Sequence, residues 1–198
     1  MEQSQLARFR LLQQANQVCC YIPLMIDNDE LLFIVDENNG PLEPKSRRET
    51  HEKGLWHRIA HIWIVNDKGE LLCQQRTLLK DKNPGKWEAH FGGHVLDGQE
   101  YIENAVTEIQ EELGLKIDKK DMTLLMIYKC DKDREFQAVF TIKWNGNIEE
   151  LNPEKEEVEK IKWLNISEIE EFYKRKDNQW ADHGYEGKAL QAIRKREN

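Results

Sequence analysis

Three glutamates stand at a spacing that would bring their carboxylates together on one face of a helix. Glu108, Glu111 and Glu112 occupy positions i, i+3 and i+4, which are neighbours on a helix surface. Carboxylates this close repel one another, and a hard cation such as Mg²⁺, which prefers oxygen ligands, would remove the repulsion. Glu-rich faces that only meet solvent are also common, so these residues alone leave a metal site and a solvated face open.

The segment around these glutamates supplies a turn before them and a stop after them. Asp97 is the predicted N-cap of the helix, with Glu100 three residues later in a capping-box pattern. Gly114 suits the left-handed residue that ends a helix. An apolar stripe at helical spacing predicts one face packed against a core, and its residues are Ile102, Ala105, Val106, Ile109 and Leu113. A glycine-rich turn therefore leads into the helix, and a second glycine ends it.

A longer pattern runs through the same segment. A glycine opens it, spaced acidic residues follow, and a second glycine with an aliphatic residue closes it; the positions are Gly93, Glu108, Ile109, Glu111, Glu112, Gly114 and Leu115. This pattern resembles the Nudix box, the signature of the Nudix hydrolases. Gln99 stands where the family has Glu, and Thr107 stands where it has Arg. The resemblance implies an ion pair between those positions that braces the turn, and losing both members together leaves no unpaired charge.

The sequence on both sides of the box carries a further resemblance, from about residue 30 to residue 192. The matching segments are Leu55–Arg58, Gln75–Lys80, Pro84–Trp87, Gly93–His94, Glu135–Phe140 and Trp163. Together they are similar to the isopentenyl-diphosphate isomerase-like branch of the Nudix superfamily, which implies an α/β/α sandwich around a mixed β-sheet. The predicted elements are several strands with a few helices between them, which favours the same α/β or α+β layered class.

In the isomerases, histidines and glutamates outside the box hold a metal. By resemblance, His94 follows the motif glycine as one such ligand does, and His51 and His57 lie where two more would be. Glu135 begins the strand that supplies the carboxylates, and Asp133 could share its face, because residues two apart on a strand point the same way. Taken alone, His51 lies in a charged loop and is more simply interpreted as a solvated side chain. Glu135 is the better candidate, because an acidic residue at the start of an apolar strand is unusual without a function.

Two basic residues after a predicted hairpin match isomerase positions that hold the diphosphate. These are Arg76 and Lys80; a guanidinium suits bidentate phosphate contact, and a lysine adds a point charge. A surface strand end and a surface loop would explain them equally well. Tyr128 falls near the isomerase active-site tyrosine, although a tyrosine that ends an apolar strand more often packs in the core.

One residue separates this chain from the isomerases. They protonate and deprotonate carbon with a cysteine directly before the Gly-His pair, and Gly92 stands at that position. A general acid cannot be missing from such a mechanism. Conversely, the isomerases are degenerate in the glutamate-rich helix, which is intact here. The requirements of isomerisation are therefore absent, and those of metal-assisted hydrolysis are present.

The sequence predicts a Mg²⁺- or Mn²⁺-dependent Nudix pyrophosphohydrolase that cleaves a diphosphate linkage in a nucleoside diphosphate-type or other organic pyrophosphate. The predicted metal-binding residues are Gly92, His94, Glu108, Glu111 and Glu112. The catalytic candidates are Glu108, Glu112 and Glu135, of which Glu108 or Glu135 would take the proton of a water. Arg76 and Lys80 would hold the distal phosphate.

The sequence leaves two alternatives open. The first is an isopentenyl-diphosphate isomerase-like enzyme with an unusual acid, which the flanking segments favour and Gly92 opposes. The second is a non-catalytic module that senses a diphosphate ligand, which the departures at Gln99 and Thr107 favour. Selectivity for a base or headgroup would lie in the loops, whose composition names no ligand.

Length and charge bound the remaining expectations. The 198 residues suit one domain, residues 27–198, with an N-terminal extension over residues 1–26 that includes a predicted helix. Acidic residues outnumber basic ones by 37 to 29, for a net charge of −8, which argues against nucleic-acid or membrane partners. There is no signal-peptide pattern, and the four cysteines form no Cys-x-x-Cys pair or zinc spacing, so we expect reduced thiols in a cytoplasmic protein. The two terminal helices leave a homodimer open.

Overall fold

A nine-residue strand, β3 (His57–Val65), lies in the middle of the larger sheet and pairs with three other strands. It pairs in parallel with β8 (Glu135–Lys143) along its whole length and antiparallel with β6 (Phe91–His94). The structure is a computed structural model that describes residues 30–80 and 82–197. Because β3 is buried on both faces, its sequence is a nearly continuous apolar run, as expected for a parallel central strand.

The remaining strands extend the sheet on both sides of β3. On one side β7 runs antiparallel to β8. On the other side β4 lies between β5 and β9, and it meets β3 where Val65 pairs with Leu71. Their bounds are β4 (Glu70–Arg76), β5 (Trp87–Glu88), β7 (Thr123–Cys130) and β9 (Val158–Asn165). A separate two-stranded sheet pairs β1 (Leu31–Leu32) with β2 (Lys45–Ser46).

Helices cover both faces of the large sheet. In the described residues they are α1 (Arg47–Lys53), α2 (Tyr101–Leu113), α3 (Ile166–Arg175) and α4 (Glu186–Glu197), with 3₁₀ turns at Lys119–Asp121 and Ile148–Glu150. Alternate residues of β3 serve the two layers: Ile62 packs in the α2 layer, and Trp63 packs in the α3–α4 layer. The predicted α/β/α sandwich around a mixed sheet is thereby confirmed.

The predicted glutamate-bearing helix is present, but its first residues differ from the prediction. Its apolar stripe is in the core, and Gly114 ends it at a φ of 68°. The predicted N-cap at Asp97 is wrong, because Asp97 and Gly98 form a turn with Gly98 at a φ of 79°. The helix begins after Glu100, whose backbone N–H donates to the Glu103 carboxylate.

Two further sequence expectations concern the ends of the chain. The sequence also predicts Ser167 as the cap of the next helix; the cap is Asn165, whose N–H donates to Glu168. The N-terminal extension over residues 1–26 lies outside the described residues. Within those that are described, no helix is long and apolar enough to span a bilayer.

Candidate active site

The glycine turn is packed so closely that side chains would not fit. Gly92 has a φ of 133°, and a Cβ there would overlap the carbonyl oxygen of Ala60 on the neighbouring strand β3. A Cβ on Gly93 would lie 2.5 Å from Oε1 of Glu108. Both glycines therefore make room, one for the sheet and one for a carboxylate. A cysteine at position 92 would meet the same overlap on this backbone.

The carboxylates beneath this turn are crowded and partly desolvated. Glu112 is 3% exposed and accepts a hydrogen bond of 2.9 Å from the Gly92 N–H. Burial and the charges of Glu108 and Glu157 raise the pKa of Glu112 well above its usual value. Burial, followed by the charge of Glu157, raises the pKa of Glu108 to about 8. Oxygen donors in such mutual repulsion fit a divalent cation, because the ion would neutralise them.

Glu157 belongs to this group although sequence reasoning did not find it. It comes from the loop before β9, distant in the chain from α2, and it lines the same cleft of about 570 Å³ as Glu108 and Glu111. The acidic run around residue 157 predicts a solvated loop, and its composition held no signal for this contact. Glu111, by contrast, is exposed at the mouth of the site, as its place on the helix surface predicts.

A different residue links the turn to the helix where the family has an ion pair. Asn104 is buried, and its Nδ2 donates to the His94 carbonyl at 2.9 Å and to Glu108 Oε1 at 3.2 Å. Gln99 accepts from the Leu96 N–H at 3.4 Å, and Thr107 donates back to the carbonyl of Glu103 in its own helix. The brace is therefore an amide that bonds both sides.

Strand register gathers the histidines and the acidic residue outside the box. His57 lies directly beside Glu135 on the parallel strands β3 and β8, with Nε2 3.7 Å from Oε1. His51 on α1 meets His94 on β6 with 3.1 Å between their Nε2 atoms. We call His51, His57 and His94 the three-histidine cluster; they are close enough to share one ion.

The electrostatics of this cluster also suit metal coordination. Burial lowers the pKa of all three imidazoles, that of His51 to about 4, so each ring keeps a lone pair at neutral pH. The Nδ1 of His57 lies 2.9 Å from the Leu55 carbonyl, and its buried Nε2 has no hydrogen-bond partner among the residues described. Lys82 Nζ lies 3.0 Å from Glu135 and 3.9 Å from Asp133, which sits in the turn before β8.

The two predicted phosphate-binding residues line the cleft and contact carboxylates there. Arg76 Nη1 donates to Glu88 Oε2 at 3.2 Å, and its Nε donates to the Lys82 carbonyl. Lys80 Nζ donates to Glu157 at 2.7 Å. Tyr128 packs at the edge of the core, with its ring 5.8 Å from that of Tyr185.

Comparison with known proteins places this geometry in a family. The NUDIX domain family matches residues 55–185. An uncharacterised Nudix hydrolase of Clostridium acetobutylicum is 33% identical over 157 residues, covering 75% of this chain and 76% of that protein. An isopentenyl-diphosphate Delta-isomerase of Dictyostelium discoideum is 29% identical, covering 75% of this chain and 72% of the isomerase.

A solved structure supports the fold independently. The crystal structure of a Deinococcus radiodurans protein superposes with a TM-score of 0.66 at 20% identity, covering 84% of this chain and 98% of that one. The predicted resemblance to Nudix hydrolases, with isomerases among the relatives, is confirmed, and so is the prediction of a Nudix enzyme. The match across residues 55–185, the sandwich and the glycine turn over α2 agree: this chain belongs to the Nudix family.

Proposed function

We propose that this protein is a Mg²⁺- or Mn²⁺-dependent pyrophosphohydrolase that cleaves the diphosphate linkage of a nucleoside diphosphate-type or other organic pyrophosphate. The observation that carries the proposal is the crowding of Glu108 and Glu112 against the glycine turn, in a cleft that Glu157 also lines. Buried carboxylates that repel one another lower the stability of a protein unless a cation neutralises them, so their placement supports a cation and an anionic substrate here.

The metal would be held by oxygen atoms of the box, with one nitrogen nearby. The residues we assign to it are Gly92 through its carbonyl, His94, Glu108, Glu111 and Glu112. When bound, the cation would offset the charge of the diphosphate and acidify the attacking water. Glu112 is held in place by the Gly92 N–H, and Glu108 is held by Asn104, so these carboxylates are oriented before a substrate arrives.

Proton removal falls to Glu108 or Glu135. Glu108 lies inside the acidic group, whereas Glu135 is fixed between Lys82 Nζ at 3.0 Å and Gln137 Nε2 at 2.7 Å. Both side chains line the cleft. The pH profile of kcat/KM distinguishes the two, since it reports the ionisations of the essential groups of the free enzyme. Replacing the general base with glutamine should remove its ionisation from that profile.

Arg76 and Lys80 would hold the phosphate that is not attacked. Each is anchored by a carboxylate of the cleft, which holds the cation at the wall of the cleft. Guanidinium and ammonium groups favour phosphate oxygens. A dianionic group could then replace the Glu157 contact of Lys80 while Arg76 keeps its hydrogen bond to Glu88.

The test is a panel of organic pyrophosphates, assayed with and without Mg²⁺ or Mn²⁺ for released phosphate or mononucleotide. Metal-dependent release from at least one substrate is expected. Glu112→Gln should lower kcat by about 10²- to 10³-fold, since metal electrostatics contribute several kcal/mol. Glu159→Gln, at an exposed position of β9, is the matched control. No release from any substrate would refute hydrolysis, and tight diphosphate binding without turnover would identify a ligand-sensing module instead.

Isomerisation of a prenyl diphosphate is the second candidate, because of one observation. The three-histidine cluster beside Glu135 supports a metal site of the kind that the isomerase resemblance implies. The turn opposes this candidate, since position 92 has no space for the acid that the reaction needs. Deuterium incorporation into isopentenyl diphosphate from heavy water would establish the isomerase, and its absence from metal-loaded protein would eliminate it.

A further inference from the structure

A second group of metal-ligating side chains lies in the same cleft, outside the set used for hydrolysis. Glu88 comes from β5, His90 from the residue before β6, and His183 from the segment before α4. Their ligand atoms lie within 4.8 Å of one another. We call these residues the Glu–His–His cluster. It shares no member with the three-histidine cluster or with the glutamates of α2.

His183 is oriented by a buried carboxylate. Its Nδ1 lies 3.0 Å from Glu186 Oε1, while its Nε2 is directed to Glu88, 3.7 Å from Oε1. Glu186 is itself held by the N–H groups of His183 and Tyr185, at 2.7 and 3.0 Å. A carboxylate behind an imidazole is the arrangement that fixes the tautomer of a metal-bound histidine, with the far nitrogen left for the ion.

Glu88 is oriented in a comparable way. One carboxylate oxygen, Oε2, accepts from Arg76 Nη1 at 3.2 Å, and the other faces His183. The residue is 3% exposed, and its backbone is fixed by pairing with Gln74 on β4. The side chain therefore offers one anionic oxygen to the cluster while the arginine bonds the other.

His90 supplies a buried polar atom that the protein leaves unsatisfied. The residue is 3% exposed, and within the described part of the chain its Nδ1 has no hydrogen-bond partner. The backbone is anchored, since Gln74 Nε2 donates to the His90 carbonyl at 2.7 Å. The ring packs against His61, with centroids 4.1 Å apart. A buried imidazole nitrogen without a partner lowers the stability of the fold unless something binds it.

We propose that the Glu–His–His cluster is a binding site for a divalent transition-metal ion, with Zn²⁺ the best-suited ion. Two imidazole nitrogens and one carboxylate oxygen are a donor set that zinc takes at distances of about 2.0–2.2 Å. Ligand atoms around such an ion lie roughly 3–4 Å apart, as the Nε2 of His183 and Oε1 of Glu88 do at 3.7 Å. Mg²⁺ prefers oxygen and water, so it would remain at the glutamates of α2.

Three protein ligands leave a fourth position open, and this cluster lines the cleft. The site would therefore be accessible from the same space as the diphosphate group of a substrate. The assignment does not depend on hydrolysis at the α2 glutamates, because its ligands and its metal are different.

The experiment uses the full chain, stripped with a chelator and then held in excess Mg²⁺. Zn²⁺ binding is measured by calorimetry, and Co²⁺ binding by its visible absorption. Wild-type protein should bind, and His183→Gln should weaken that binding by at least about 100-fold. Glu186→Gln keeps every ligand and should weaken it by about 10- to 100-fold, the effect of losing the orienting carboxylate.

The control is the double variant His51→Gln/His57→Gln, which removes nitrogens from the three-histidine cluster. The Zn²⁺ event lost in His183→Gln must survive in this control. Should a variant fail to fold, the imidazole NMR signals of His90 and His183 in unmutated protein provide the measurement, and both should shift with Zn²⁺. Unshifted signals, or Zn²⁺ binding that disappears in the control and persists in His183→Gln, would overturn the assignment. The assignment would also be overturned if His183→Gln and Glu186→Gln altered the KM for substrate but left the Zn²⁺ affinity unchanged.

Discussion

The steric requirement at Gly92 and Gly93 limits which side chains can lie beside the carboxylates of α2. The first glycine lets β6 lie against Ala60 of β3, and the second lets the Glu108 carboxylate approach the turn. A side chain at either position would separate the backbone from the carboxylates of α2. The absence of a cysteine at position 92 is therefore part of how the acidic site is built, and it removes a proton donor at the same time.

Replacing Gly92 with alanine should destabilise the protein by at least about 2 kcal/mol, because a Cβ would overlap the Ala60 carbonyl and strain the backbone. The measurement is urea denaturation of the metal-free protein. Gly98→Ala is the matched control: its φ is also positive, at 79°, but there is open space around it, so it should cost only about 1 kcal/mol. Equal losses in the two variants would contradict the close approach of Gly92 to the Ala60 carbonyl.

Replacing Gly92 with cysteine should have the same cost and should not create an isomerase. The Cβ of the cysteine would overlap the Ala60 carbonyl. The thiol could therefore not take the position that proton transfer to carbon requires. Deuterium exchange into isopentenyl diphosphate measures this directly. Exchange above the level of the unmutated protein would show that the backbone can accommodate a side chain there.

At the scale of elements, the site depends on how the turn is joined to α2. Asn104 bonds the His94 carbonyl on one side and Glu108 on the other, so a single buried amide takes the place of the ion pair of the family pattern. An amide serves here because it donates without bringing a charge into a cleft that already holds several carboxylates.

Asn104→Ala should lower both stability and activity. Loss of the amide leaves a buried carbonyl unsatisfied, which costs about 1–3 kcal/mol, and it releases Glu108, so kcat should fall by roughly tenfold or more. Denaturation and steady-state kinetics are the measurements. Gln110→Ala, at an exposed position of the same helix, should leave both unchanged. An Asn104→Ala protein with normal kcat would show that the brace is not needed.

The elements also show how far the sequence could predict the site. The apolar periodicity and the closing glycine were sufficient to predict that α2 is a helix and where it ends, because both signals act within a few residues. Its first residue was mispredicted, since Glu100 competes with Asp97 and local spacing does not rank them. Glu157 and His183 reach the cleft through strand pairing and loop paths far along the chain. No local pattern encodes that convergence, whereas a resemblance to relatives could anticipate the three-histidine cluster.

For the whole molecule, the acidic site carries a cost to stability when no cation is present. The chain has a net charge of −8, and the crowded carboxylates add local repulsion to that global excess. The sandwich tolerates this because the site lies at one edge of the apolar layers, where β3, β6 and α2 meet. Stability should therefore depend on pH and on divalent ions together.

Burial raises the folded-state pKa of Glu108 to about 8, from 4.5 in the unfolded chain, and raises that of Glu112 as well. A raised carboxyl pKa means that the native state binds more protons than the unfolded state. The contribution of this carboxyl to the free energy of unfolding is therefore complete below about pH 4.5 and is lost as pH rises towards 8. The unfolding free energy of chelator-treated protein should fall between pH 5 and 8.5 by more than about 1.4 kcal/mol, the equivalent of one pKa unit. Mg²⁺ should stabilise the protein far more at pH 8.5 than at pH 5, because only ionised carboxylates bind it.

Glu108→Gln should flatten the pH dependence of the unfolding free energy, measured by urea denaturation. A metal-free profile that is level across this range would mean that the carboxylates are not mutually destabilised, and the case for a cation under the glycine turn would lose its physical basis.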